Sequence, residues 1–271
     1  MKIVNHFGLR VDTEHERKEF EQVGLSLTGG VEIPGGGVIT SFDIEEDDPR
    51  WEKVVALATR FSATHTVRTD FSDPELDASA FLGLLACSNR GYPEPHEKMG
   101  YLAATFDLTE FCRNCGVGKK QIAPFQMQKD PGLKSTSMMQ LNWVFDEFFT
   151  GPEAWAAVFK PEGIKARPVV LEKTGAEIPT VVQLDIQDAV DLDVKDAPFE
   201  DCGACGRRKH RYVLRGPYPK PIDAGEKAIF KSKEHFGQDR GAFKLAFISN
   251  AVRRRIREAG LRGVHFYPCY E

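Results

Sequence analysis

Four cysteines carry the chemistry that can be read most directly from this chain. Phe111-Cys112-Arg113-Asn114-Cys115-Gly116 and Asp201-Cys202-Gly203-Ala204-Cys205-Gly206 are each a CxxCG motif. Two residues between thiols let a tight turn aim both sulfurs at one point. The glycine that follows tolerates positive φ and leaves its N–H free to donate to sulfur. Two such turns supply four thiolates, a full tetrahedral shell for Zn²⁺ with no position left for an activated water, so the expected role is structural. Of Cys115 and Cys202, 87 positions apart, the metal would make neighbours, stapling the middle of the chain at its base. Arg113, Arg207, Arg208 and Lys209 stand beside the motifs, where they would offset the formal −2 of a zinc tetrathiolate. An iron–sulfur cluster uses the same four donors. A thioredoxin-like redox pair would need a βαβ surround that the sequence lacks, and paired disulfides do not suit a reducing compartment. Cys87 reads as helix core, and Cys269 has no assigned role.

Other chemistry-bearing residues do not converge in the sequence. His96 lies in the proline-rich Pro93-Glu94-Pro95-His96-Glu97 and reads as a surface histidine. His210 reads as a basic-strand residue beside the second motif, while His235 and His265 are isolated. No HExxH, GxSxG or kinase-type set occurs, and no enzyme is expected. Gly29-Gly30 and Gly35-Gly36-Gly37 bracket Val31–Pro34 as turns around a short strand, with no GKS/GKT to make a phosphate loop. Asp185, Asp188, Asp191, Asp193, Asp196, Glu200 and Asp201 form an acidic stretch opposed only by Lys195. It is either a solvated loop or a surface for a basic partner. Arg253, Arg254, Arg255 and Arg257 share one short helix; Val252 and Ile256 would face its core and the arginines would fan out to solvent, with phosphate binding as a further use.

Charge divides the chain at the second motif. Residues 1–201 carry 20 Lys/Arg against 34 Asp/Glu, a net −14, and residues 202–262 carry 16 against 5, a net +11. A basic segment can meet nucleic acid and an acidic body can meet a basic protein, or the two can neutralise each other within one fold. The chain has 271 residues, 41% hydrophobic and 28% charged, the balance of an ordinary soluble globular protein with a sizeable core. No apolar run approaches the ~20 residues that span a bilayer. The start at Met1 shows no export signal, so the default location is the cytoplasm.

The elements that must position the cysteines follow from periodicity and punctuation. Strands are expected at 3–11, 101–108, 121–128, 141–145, 169–171, 180–186, 211–214, 243–248 and 264–267. Helices are expected at 51–61, from the Ser72-Asp73-Pro74-Glu75 capping box to about Cys87, at 154–160, and at 251–259 between Ser249 and Gly260. The mixed order points to an α+β fold with a mostly antiparallel sheet. The expected organisation is a single unit over 1–271, with the option of two lobes, and a zinc site formed by 111–116 and 201–206.

The doubled CxxCG, with Gly91-Tyr92-Pro93, Gln140-Leu141-Asn142-Trp143, Val182-Gln183-Leu184, Cys205-Gly206-Arg207-Arg208-Lys209, Phe236-Gly237 and the Ile248-Ser249 through Gly263-Val264-His265-Phe266 end, resembles the myxobacterial double-CxxCG motif family. The likeness runs from about Phe71 to Pro268. Members are similar to SitI-type immunity proteins, encoded beside polymorphic toxins that kin cells pass by outer-membrane exchange. The resemblance implies a cytoplasmic protein that binds and neutralises one cognate toxin domain, with the metal ligands carried over as Cys112, Cys115, Cys202 and Cys205 and no catalytic residue. Asp185, Asp188, Asp191, Asp193 and Asp196 would then belong to the toxin-binding face. The competing expectation is a zinc-containing nucleic-acid-binding or regulatory protein that uses the basic C-terminal segment.

Overall fold

The structure is a computed structural model that describes residues 1–27, 29–133 and 136–270. Contacts divide it into two compact units, 1–73 with 213–216, and 74–212 with 217–271. Strands dominate and most ladders are antiparallel, as the element order predicts.

The first unit is built on β1 (Lys2–Val11), whose alternation turns Phe7, Leu9 and Val11 to the core. Helix α1 (Glu14–Gln22) opens on a capping box formed by Thr13 and Glu16. Next come β2 (Val31–Glu32), β3 (Val38–Glu45), α2 (Trp51–Arg60) and β4 (Thr64–Asp70). The sheet order is β2-β3-β1-β4, antiparallel throughout. Phe20 of α1 and Val54, Leu57 and Ala58 of α2 join the apolar face of β1 in one core. Asn5 is fully buried within it, and its amide is used at both ends, donating to Glu46 Oε1 at 3.3 Å and meeting His65 Nε2 at 2.6 Å.

The second unit begins with α3 (Asp73–Ala78), which is where one expectation fails. The helix does not run on to Cys87. The Asn250 amide donates to the carbonyls of Leu76, Asp77 and Ser79, satisfying the orphan acceptors of a helix that stops there. The chain then enters β5 (Phe81–Ala86), paired on both sides, and Cys87 is exposed beyond its end rather than in a helix core. Leucine and alanine favour helix locally, but two neighbouring strands decide the outcome. A helix also replaces the strand expected at 101–108: α4 (Tyr101–Thr105) precedes the two-residue β6 (Phe106–Asp107). Leu102, Ala103 and Ala104 are good helix formers, and the apolar run around them belongs to a helix–strand corner.

The segment expected as one strand at 121–128 divides into β7 (Lys120–Gln121) and β8 (Gln126–Met127). The 141–145 strand is instead a hairpin, β9 (Met138–Leu141) and β10 (Val144–Thr150), turning at Asn142-Trp143 with Trp143 at φ 68°. Then follow α5 (Pro152–Ala154), which continues through helical turns to Glu162, β11 (Lys165–Leu171), β12 (Glu177–Asp185), β13 (Ala189–Val190), β14 (Phe199–Asp201) and β15 (Arg208–His210). Residues 211–214 form no strand. The chain there leaves the second unit for the first, where the Gly216 N–H donates to Thr69 Oγ1 at 3.0 Å. The unit closes with β16 (Ile229–Ser232), β17 (Ala246–Ser249), α6 (Asn250–Glu258), capped by Ser249, and β18 (Val264–Pro268).

Two five-stranded sheets result, β8-β11-β12-β10-β9 and β13-β16-β17-β5-β18, each with one parallel pair at an edge. In the second, Gly83 of β5 lies under the Tyr218 ring, where a Cβ would fall 2.3 Å from a ring carbon. On α6, Val252 and Ile256 face the core as expected, but not every arginine reaches solvent. Arg253 is 1% exposed, ion-paired with Asp77 and set over the Phe266 ring.

Candidate metal centre

Each CxxCG turn sits at the tip of a two-stranded antiparallel ribbon. Strands β6 and β7 carry the first, and β14 and β15 carry the second, with Asp201 opposite Arg208. The turns repeat each other at an offset of 90 residues. Cys112 N–H donates to Val117 O at 2.9 Å and Gly116 N–H to Cys112 O at 2.8 Å; Cys202 N–H donates to Arg207 O at 3.0 Å and Gly206 N–H to Cys202 O at 2.7 Å. Gly116 and Gly206 take φ of 79° and 71°, as the motif requires. Their N–H groups close the turns onto carbonyls rather than onto sulfur, which differs from the sequence expectation. The sulfurs receive instead the N–H groups of Asn114 and Cys115 on Cys112, of Ala204 and Cys205 on Cys202, and of Val117 on Cys115.

The four Sγ atoms lie within 4.8 Å of one another. Across the ribbons, Cys112 faces Cys202 at 3.8 Å and Cys115 faces Cys205 at 3.7 Å. Sulfurs at about 2.3 Å from a central ion form a tetrahedron with edges of about 3.8 Å. The spacing is too long for disulfides, and the cysteines are free. The donor set and its separation therefore fit a single ion coordinated by four thiolates. Backbone N–H donation from Cys115 and Asn114 lowers the Cys112 thiol to about 6, and donation from Ala204 and Cys205 lowers Cys202. Burial pushes Cys115 up to about 12. A bound cation would hold all four as thiolates.

Arg207 braces the two turns. From the second it donates to Glu110 O, to Val117 O at 3.2 Å and to Glu110 Oε2 at 3.0 Å, all at the first. Arg208 pairs with Asp201 at 2.8 Å and stacks 3.6 Å over Phe199, and Lys209 is buried against Glu200 and Asp239 O. His210 is a buried strand residue against Phe236 and is not among the clustered ligands. His96 is exposed and meets Glu94 at 2.8 Å.

The acidic stretch does not form one face. Asp185 sits in a cavity wall, 2.8 Å from Arg167, and Asp191 pairs with Lys233 at 2.6 Å. Asp188 and Asp196 are exposed with no ion-pair partner among the described residues, and Asp193 reaches only Lys195 at 3.9 Å. Sequence reasoning missed the Arg207 brace, whose signal is the arginine directly after the second CxxCG. It also missed a charged cavity assembled by Lys119, Asp146, Lys231, His235 and Lys244, which lie too far apart in the chain to leave a local pattern. No helix among the described residues is long and apolar enough to cross a membrane. Compared with known proteins, the sequence matches no protein-family model and no curated protein.

Proposed function

We propose that this chain is an immunity-type binding protein that neutralises one cognate polymorphic toxin in the cytoplasm, on a scaffold stiffened by one structural Zn²⁺. The observation that carries this reading is the meeting of four thiols from two CxxCG turns at the edge length of a zinc tetrathiolate. Cys112, Cys115, Cys202 and Cys205 would hold the ion. Four protein ligands complete the shell, so the zinc supplies rigidity and no Lewis-acid chemistry. The doubled CxxCG is also the most specific feature of the resemblance to SitI-type immunity proteins. Such a protein acts through a complementary surface and needs no catalytic residue. Asp188, Asp193 and Asp196 are the acids left exposed to meet a basic toxin cleft, where charge complementarity speeds association.

The nucleic-acid reading has less to stand on, because half of the cations in the basic segment already face carboxylates within the fold. The experiment that tests the proposal is co-expression with the toxic domain encoded beside this gene. Cells survive that domain and no unrelated one, and the purified protein carries one equivalent of zinc. Cell death in the presence of abundant folded protein refutes the immunity role. Salt-sensitive DNA or RNA binding by the same preparation favours the alternative.

A further inference from the structure

The second unit contains a half-enclosed cavity of about 270 Å³, lined by Lys119, Asp146, Glu147, Lys231, His235 and Lys244. Part of its charge is settled internally. Lys231 Nζ lies 2.7 Å from Glu147 Oε1, and Glu147 Oε2 accepts from Gln183 at 2.9 Å. The Arg167 fork is occupied by Asp185. What remains is Lys119, Lys120 and Lys244 against Asp146 and Asp188.

Asp146 is buried, which opposes its ionisation, yet Lys119 and Lys231 outweigh that and hold its carboxyl below the usual range. It is therefore an anion already shared among several ammonium groups. Lys244 is half-buried, and burial and the Lys231 charge push its ammonium down from the ordinary lysine value. No carboxylate among the described residues lies within salt-bridge distance of Lys244 or Lys119; Lys119 rests instead over the Phe106 ring at 5.2 Å. His235 is held neutral at pH 7 by burial and by Lys244, and its ring makes no hydrogen bond to any described residue. A neutral imidazole can still donate one N–H. Positive charge thus exceeds negative in a polar hollow, with a free donor beside it.

We propose that this cavity binds a phosphate-class oxyanion through Lys119, Lys244 and His235. Compact ammonium groups suit the tetrahedral, multiply charged phosphoryl group, whereas a planar carboxylate is better met by an arginine fork, and the fork present is taken. The volume is at the small end for ligand sites, which fits a phosphate or pyrophosphate moiety rather than a large organic body. Its proposed ligand-binding groups, Lys119, Lys244 and His235, belong neither to the acids proposed to face the toxin nor to the cysteine cluster.

The test is calorimetric titration of the full metal-loaded chain with inorganic phosphate and with pyrophosphate at constant low ionic strength, alongside succinate. One equivalent of saturable phosphate or pyrophosphate binding is expected, weakened at least about ten-fold in Lys244→Met and unchanged in Lys195→Met, which alters an exposed lysine outside the cavity. Circular dichroism checks the fold of each variant. If Lys244→Met does not fold, Lys119→Met carries the comparison with the same expected loss. The proposal is overturned by the absence of saturable binding, by equal binding in wild type and cavity variant, or by succinate binding as tightly as the phosphates.

Discussion

Removing the metal from Cys112, Cys115, Cys202 and Cys205 should lower the stability of the second unit by about 4–5 kcal/mol, as a minimum. The figure follows from connectivity. An ion held there would join two turns whose nearest cysteines, Cys115 and Cys202, are 87 positions apart. Cross-linking a loop of that length removes about 4–5 kcal/mol of chain entropy from the unfolded state. The apo protein also leaves four sulfurs crowded within 4.8 Å, with Cys115 buried among them, so the loss is not confined to the entropic part. Structural zinc in small peptides is worth ~10–16 kcal/mol, which sets the upper end. With a urea m value of about 3 kcal/mol/M, the lower figure moves the midpoint down by about 1.5 M.

The assay is urea unfolding of metal-loaded and chelated protein, followed by fluorescence, with metal content measured on the same samples. Trp143 and Trp155 belong to the second unit, and replacing Trp51 with Phe confines the signal to it. Cys202→Ser should give the same midpoint as chelation, and chelating that variant should lower it no further, because both act through one site. Equal midpoints in loaded and demonstrably metal-free protein would refute the reasoning, as would less than one equivalent of metal in the native preparation.

Arg207→Met removes the hydrogen bonds to Glu110 and Val117 and should cost about 1–2 kcal/mol, read as faster metal loss to a chelator at unchanged stoichiometry. Gly83→Ala places a methyl group against the fully buried Tyr218 ring and should destabilise by about 1–3 kcal/mol in urea; a neutral result means that β5 is not packed as described. His235 sits near 4 in the folded state, lowered by burial and then by Lys244, against an ordinary 6.5, so the unfolded chain takes up a proton first as pH falls. Its contribution is present above about pH 6.5 and is lost toward pH 4, at most about 3 kcal/mol; His235→Gln should flatten that part of the stability–pH curve. Reversing Asp188, Asp193 and Asp196 to Lys should slow association with the toxin; unchanged affinity and protection in that variant remove these acids from the account.

The cysteine cluster was the most legible part of the sequence because its geometry is local. CxxCG fixes two ligands and a left-handed glycine within five residues, and only the meeting of the two turns needed a tertiary structure. The capped helix at 250–258 and the alternating strand at 2–11 were legible for the same reason. Failures occurred where distant partners overrule local preference. Phe81–Ala86 is a strand because β17 and β18 flank it, and α3 stops because Asn250, more than 170 residues away, binds its last carbonyls. At 141–145 the apolar run hid a reversal of direction, since the residue at positive φ is a tryptophan rather than a glycine. Arg253 was misplaced because helical spacing says which residues share a face but not which neighbouring helix supplies a carboxylate.

The division of charge along the chain illustrates the same limit at larger scale. Half of the cations in the +11 segment are compensated within the fold. Among the described residues, Arg207, Arg208, Lys209, Arg215, Lys231, Lys233, Arg253 and Arg255 each face a carboxylate drawn from the acidic part of the sequence: Glu110, Asp201, Glu200, Glu46, Glu147, Asp191, Asp77 and Glu162. A partner senses only the charge that folding leaves uncompensated. Here that includes acid on the exposed loop of Asp193 and Asp196, and base inside the cavity of Lys119 and Lys244. The first can attract a basic protein surface over a Debye length of about 8 Å in physiological salt. The second can reach only a ligand small enough to enter. Recognition of a macromolecule and capture of a small anion therefore fall on different charges of this molecule and should be separable by mutation.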